Sequence, residues 1–333
     1  LSTIAPSPYR FGWFDWFCLW YPPAWLILFN RHWRHYKPDP DGWNWLEYLL
    51  FLLPAGFYIA LALRWLRLGL RSPRFTPVPP DPVYQQAFRQ EILKPIVTRY
   101  FRATLEHRER LPTQAPVIVA LNHAGMCFPW DVVSLGFLLA QEQDWTVQPF
   151  AHPIFFEHPW LTWWLPAGWA QVLGGVRAEA SEFEQAVLRQ TVLLYAPEGW
   201  RGLAKGWRRR YRLATFDPSF VRLSLRHQVP VLPVLCLGSE TLHPGTVNVH
   251  WLARRLKLPL FPLSPLVPLF LLFPSLGVWA VRSRLRYVIQ PLWCPWSATS
   301  QPAPSQKLTY QLANHLRSRL QYELTRLRRE LKR

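Results

Sequence analysis

Pro116-Val117-Ile118-Val119-Ala120 runs directly into Leu121-Asn122-His123-Ala124-Gly125-Met126-Cys127-Phe128-Pro129-Trp130-Asp131. A second stretch repeats that plan: Thr191-Val192-Leu193-Leu194-Tyr195, then Ala196-Pro197-Glu198-Gly199-Trp200-Arg201-Gly202 and Lys205. Short apolar runs that stop at turn-forming residues read as buried parallel strands. In an open α/β sheet, ligands and chemistry collect just beyond the carboxyl ends of such strands. One loop therefore offers His123 and Asp131, and the other offers Glu198, Gly199 and Arg201. A histidine that titrates near neutrality, oriented by a carboxylate, is a candidate general base. A loop with glycine, arginine and lysine can hold phosphate oxygens. Together they point to group transfer on a phosphate-bearing substrate.

Working outward, the pattern alternates. A helix is expected over about 131–142, a mixed stretch over 145–156 and a Trp-rich segment over 159–170. Next come a strand over Val172–Arg177, a helix over Glu179–Gln190 and another near 217–228, then a strand over Val229–Leu237 and a last one over Arg286–Gln290. Such alternation predicts an α/β fold with a mostly parallel central sheet flanked by helices. Residues 85–110 read as helical, with a kink at Pro95. The expected organisation has three parts. Residues 1–84 form a membrane-associated, aromatic-rich helical region with a Pro-rich linker, 85–300 the catalytic domain, and 301–333 a basic amphipathic helix with Leu308, Leu312, Leu316, Leu320, Leu324 and Leu327 on one side.

Composition narrows the class. The 333 residues carry a formal net charge of +18 and 20 tryptophans. Strong basicity suits nucleic acid or an anionic membrane surface. Tryptophan beside arginine favours the membrane interface, and no nucleic-acid recognition module is visible. The longest uncharged run near the N-terminus, Tyr48–Leu63, has sixteen residues and contains Pro54. It is short of the ~20 a spanning helix needs, so a membrane-embedded or re-entrant hairpin is expected there, with Arg64, Arg67 and Arg71 anchoring it at the cytoplasmic interface. The proline-interrupted, uncharged run 258–281 reads as a greasy loop on the membrane, along an acyl channel, or as a buried connection. The four cysteines, Cys18, Cys127, Cys236 and Cys294, form no CxxC pair, so neither a zinc site nor a disulfide framework is expected. No GxSxG elbow or GxxxxGK[ST] loop is present.

The Asn122-His123…Asp131 and Pro197-Glu198-Gly199-Trp200-Arg201-Gly202 pieces resemble motifs one and three of the glycerolipid acyltransferase family. The longer run through Lys205, Tyr211-Arg212-Leu213, Phe216 and Phe220-Val221-Arg222-Leu223 is similar to its diacylglycerol-acyltransferase-like branch. The resemblance implies His123 as general base, Asp131 as its orienting partner, and a substrate site of Glu198, Gly199, Arg201 and Lys205. Arg177, after Gly174-Gly175, stands in for the cation of motif two. Seven residues separate His123 from Asp131, where most of the family has four. The longer-gap branch resembles Gly125 and Pro129; as an alternative, Asp131 caps the following helix. The implied reaction moves a fatty acyl group from an acyl thioester (acyl-CoA or acyl-carrier protein) to a glycerolipid hydroxyl at a membrane. It needs no metal or other cofactor and involves no nucleic acid. The competing expectation is a non-catalytic lipid-binding membrane protein of the same fold.

Overall fold

The computed structural model describes residues 7–74, 79–125, 128–143, 145–152, 156, 163–166, 168–256, 261–298 and 305–331. Residues 159–162 and 167 of the Trp-rich segment and the start of the run 258–281 lie outside the described residues. The chain forms two compact units. One comprises Leu1–Tyr100, Ala151–Arg177 and Leu266–Ala280; the other comprises Phe101–Phe150, Ala178–Pro265 and Val281–Arg333.

Among the described residues nine strands follow one another: β1 (Thr104–Glu106), β2 (Val117–Leu121), β3 (Val147–Ala151), β4 (Val176–Arg177), β5 (Val192–Tyr195), β6 (Val231–Leu237), β7 (Val247–Asn248), β8 (Pro262–Leu263) and β9 (Arg286–Ile289). In the second unit the sheet runs β1-β9-β6-β2-β5-β3. All its neighbours are parallel except β6 and β9. β2 is central, and all five of its residues are buried. That burial is why its sequence is continuously apolar instead of alternating. Its partner β5 lies in register, with Ala120 opposite Tyr195. The loops that follow β2 and β5 therefore leave the same edge of the sheet side by side.

One face of the sheet is covered by helices Ala180–Leu188, Ser219–His227 and Gln306–Glu330, whose Phe183, Phe220, Leu316, Leu320 and Leu324 pack with Ile118, Leu193 and Leu235. The leucine stripe of the C-terminal helix is thus spent on its own unit, where Arg317 also donates to the Leu213 carbonyl and Arg328 stacks on Tyr211. The basic amphipathic helix expected over 301–333 is docked on its own unit over Gln306–Glu330. Short β1 departs from expectation. The helical pattern of 85–110 ends at Tyr100, and Thr104–Glu106 pairs with β9 instead.

The first unit is helical, with helices Trp13–Trp20, Trp25–Tyr36, Trp45–Phe51 and Gly56–Arg67. Its core is aromatic: Trp25 meets Tyr100, and Phe29 meets Phe88 and Trp169. Among the described residues no helix is long and apolar enough to cross a membrane. The arginines expected at an interface bond to groups of their own unit. Arg64 is buried, donates to the carbonyls of Asp41 and Trp163, and stacks on Trp43. Arg71 forks onto Asp41. Arg67 pairs with Glu47, which also closes a capping box with Asn44. A buried carboxylate with that many donors is costly to delete. Glu47→Ala is expected to destabilise this unit by about 2 kcal/mol, read as a lower urea midpoint at an unchanged denaturant slope.

Candidate active site

Each residue of the site is placed by the end of a strand. Asn122, the first residue after β2, clamps the backbone of Cys236 on β6: its amide donates to the Cys236 carbonyl (3.0 Å) and its carbonyl accepts from the Cys236 N–H (2.6 Å). That two-point clamp fixes where the chain leaves the sheet, and so fixes His123. The imidazole Nδ1 lies 2.8 Å from Oδ2 of Asp131. The same oxygen accepts the N–H of Ala124 at 3.1 Å. Asp131 is fully buried in the first turn of the helix Trp130–Glu142, whose cap position is Pro129. Its carboxylate reaches back across the loop to the imidazole. Tyr287 of β9 donates to the Asp131 carbonyl at 2.7 Å and steadies that turn. The seven-residue gap is thus spanned by a loop that folds back on itself; its middle, residues 126–127, lies outside the described residues.

Burial pulls the imidazole pKa down. The charge and hydrogen bond of Asp131 oppose it, with help from Glu198 and against Lys205, and the net value lies above the ordinary 6.5. With Nδ1–H donated to Asp131, Nε2 carries the free lone pair, and it has no partner among the described residues. This is an imidazole held in one tautomer and poised to accept a proton.

The second loop is built around a buried ion pair. Glu198 is 1% exposed. Its oxygens accept the N–H of His123 (3.0 Å), the ammonium of Lys205 (3.0 and 3.2 Å) and the N–H of Ala214 (2.6 Å). Glu198 and Lys205, both expected in the substrate site, are paired here. Both are turned toward each other, and Glu198 welds its loop to the His123 loop and to the segment at Ala214. Gly199 has φ +49° and ψ −138°, a conformation that side chains resist, and open space lies where a Cβ would be. At Gly202 a Cβ would stand 2.8 Å from the His123 carbonyl oxygen, so this glycine lets the two loops close-pack. Arg201 is exposed, with a long 3.4 Å contact to the Thr215 carbonyl. Arg177 belongs to the first unit, where β4 leaves it exposed.

Beside His123 opens a cleft lined among others by Ala124, Gly125, Lys205, Trp207, Arg210, Glu240 and His243. Asn122 and Glu240 are the residues that sequence reasoning missed. Asn122 stands in the quoted motif, but its partner on β6 is more than a hundred positions away. Glu240 has no local signal except its place just past a strand end.

A parallel-sheet α/β unit that carries a His–Asp dyad on one strand-end loop and a Glu-Gly-x-Arg loop on the next has the constellation of an acyltransferase. The acyltransferase family model matches residues 102–237, so this stretch, which carries both loops, is similar to that family. Its curated relatives include an uncharacterized protein of Mycobacterium tuberculosis, 28% identical over 250 residues, 74% of this chain and 67% of that one. An uncharacterized protein of Mycobacterium leprae is 27% identical over 252 residues, 74% of this chain and 66% of that one. Among solved structures, the 1-acyl-sn-glycerophosphate acyltransferase PlsC from Thermotoga maritima is similar at a TM-score of 0.43 and 16% identity, covering 91% of this chain and 98% of that one.

Proposed function

We propose that the protein transfers a fatty acyl group from an acyl thioester to a glycerolipid hydroxyl. The observation that carries this reading is the imidazole of His123, with Nδ1 on Asp131 and Nε2 unclaimed among the described residues. In the proposed reaction Nε2 takes the proton of the acceptor hydroxyl as that oxygen attacks the thioester carbonyl carbon. The tetrahedral intermediate then expels the thiolate, the carbon–sulfur bond breaks, and the imidazolium returns its proton to sulfur. Asp131 stabilises the imidazolium while it exists. Direct transfer fits the absence of a nucleophile motif from the sequence. Gly199 and Arg201 are proposed to take a phosphate of donor or acceptor, since Arg201 projects to solvent with a planar fork that is barely engaged.

The proposed setting is a membrane surface. The first unit exposes Trp45, Leu46 and Leu49 on one helix, Tyr58, Ile59, Leu63 and Leu66 on the next, and Leu271 and Leu272 on the segment hydrogen-bonded to it at Ala55 and Tyr58. Apolar area of that kind, with tryptophan at its rim, supports insertion to headgroup depth without crossing. A catalytic unit facing the cytoplasm is part of the same proposal.

The test is an assay of the detergent-purified protein with radiolabelled palmitoyl-CoA and a panel of lysophosphatidate, monoacylglycerol and diacylglycerol. The expected result is label in a product with one more acyl chain. Label that stays with the thioester, or goes only to free fatty acid, with every acceptor would overturn the proposal.

A further inference from the structure

Three neighbouring strands, β5, β2 and β6, end at the same edge of the sheet. The first two deliver Glu198 and His123. The third ends at Leu237 and delivers Gly238-Ser239-Glu240. Glu240 is only 6% exposed and lines the cleft beside His123. One of its oxygens, Oε2, receives a weak 3.4 Å bond from Ser239. The other, Oε1, is buried and has no hydrogen-bond partner among the described residues. Buried acceptors are nearly always satisfied, so an open one at the wall of a cleft points to something that fills it. The nearby cation is already engaged: the ammonium of Lys205 sits on Glu198. Arg210 is likewise held, stacked on Trp207 and bonded to its carbonyl. Burial raises the Glu240 carboxyl, Lys205 lowers it, and Glu198 and Asp131 push it up again, to about 7.

We propose that Glu240 binds the acceptor through a second, unacylated hydroxyl, with its open oxygen Oε1 accepting that hydroxyl's hydrogen bond while the neighbouring hydroxyl reacts at His123. This rests on the acyl-transfer reading above and adds the acceptor's class to it: a neutral lipid with two adjacent hydroxyls. A phosphate in the same place would meet a carboxylate oxygen that no donor among the described residues covers, while Lys205 is held by Glu198. A hydroxyl suits the site because it donates to a carboxylate and accepts from a carboxylic acid, and so tolerates a group that titrates near neutrality. Sites built to bond a substrate hydroxyl reject analogues lacking it, because the buried partner is then left unsatisfied.

The test compares 1-monoacylglycerol with each of its two monomethyl ethers, using palmitoyl-CoA and the full-length parent, Glu240→Gln and Glu240→Ala proteins. Methylating the hydroxyl that is not acylated is expected to raise the parent's acceptor KM by about tenfold to a hundredfold, with kcat little changed. Glu240→Ala should raise the KM of the unmodified acceptor by a similar factor and show almost no further effect of methylation, since the two changes remove the same bond. Glu240→Gln, whose amide oxygen still accepts, should recover part of the loss. The parent arm needs no variant, so a misfolded Glu240→Ala, detected by its melting curve, leaves that arm to decide. Equal penalties for methylation in parent and Glu240→Ala would sink the assignment, as would a parent indifferent to methylation. A parent that acylates none of the acceptors overturns the acyl-transfer reading itself, a distinct result.

Discussion

His123→Ala is expected to slow acyl transfer by about 10³-fold, within the ~10²–10⁴ that a positioned general base supplies. Donor and lipid binding should change little, because the ring is braced on its far side by Asp131 and its backbone N–H, which the substitution keeps, still meets Glu198. The pH profile gives the same claim a sign. The base must be neutral to accept a proton, and its pKa lies above 6.5. kcat/KM should therefore fall as pH drops through a value above 6.5, and it should level off on the alkaline side. Asp131→Asn removes the charge and the carboxylate bond that hold the pKa up, and leaves burial to pull it down. Its acid limb should move to lower pH, while its plateau falls by about 10²-fold or more because the tautomer is no longer enforced. Initial rates across the neutral range for parent and both variants measure this. A parental rate from His123→Ala would remove the general base from the mechanism.

Much of this was readable from the residues, and the boundary between what was and was not has a physical cause. β2 and β5 were legible because strands buried on both faces must be apolar throughout, and the residues after them because parallel strands send their loops to one edge. The pairing of His123 with Asp131 was legible from family resemblance even across a seven-residue gap. The partners of the charged groups were not. Arg64, Arg67 and Arg71 follow an apolar helix, as interface anchors do, yet each is bonded to acidic or carbonyl groups of its own unit, brought close by folding. The leucine stripe at Leu316, Leu320 and Leu324 has the same period whether it meets lipid or a sheet. Thr104–Glu106 is a three-residue strand in a helical pattern, and only pairing with β9 makes it one. Local pattern sets the element; long-range contact sets what each charge does.

Lys205 is where that distinction has the largest consequence, and stability measurements separate the two roles open to it. If its ammonium serves phosphate, Lys205→Met should raise a substrate KM and leave the fold alone. The geometry predicts otherwise. The Lys205 side chain is 7% exposed and the Glu198 side chain fully buried, with 3.0 Å between them. Breaking a buried pair from one side strands a charge in a poor dielectric, at about 3–5 kcal/mol. Glu198→Ala is expected to show that loss in full, because it also takes the acceptor from the N–H groups of His123 and Ala214. Activity should fall with it, since the His123 backbone loses its tie to the second loop. Removing both charges together leaves no stranded ion, so the Glu198→Ala, Lys205→Met double variant should be destabilised by less than the sum of the single variants Glu198→Ala and Lys205→Met. The coupling, read from urea midpoints in a double-mutant cycle, should amount to about 2 kcal/mol. Additive single effects would mean that the two side chains do not depend on each other, and that Lys205 is free to leave Glu198 for a substrate phosphate. A strong coupling leaves Arg201, with its exposed guanidinium, as the cation of this loop that meets phosphate.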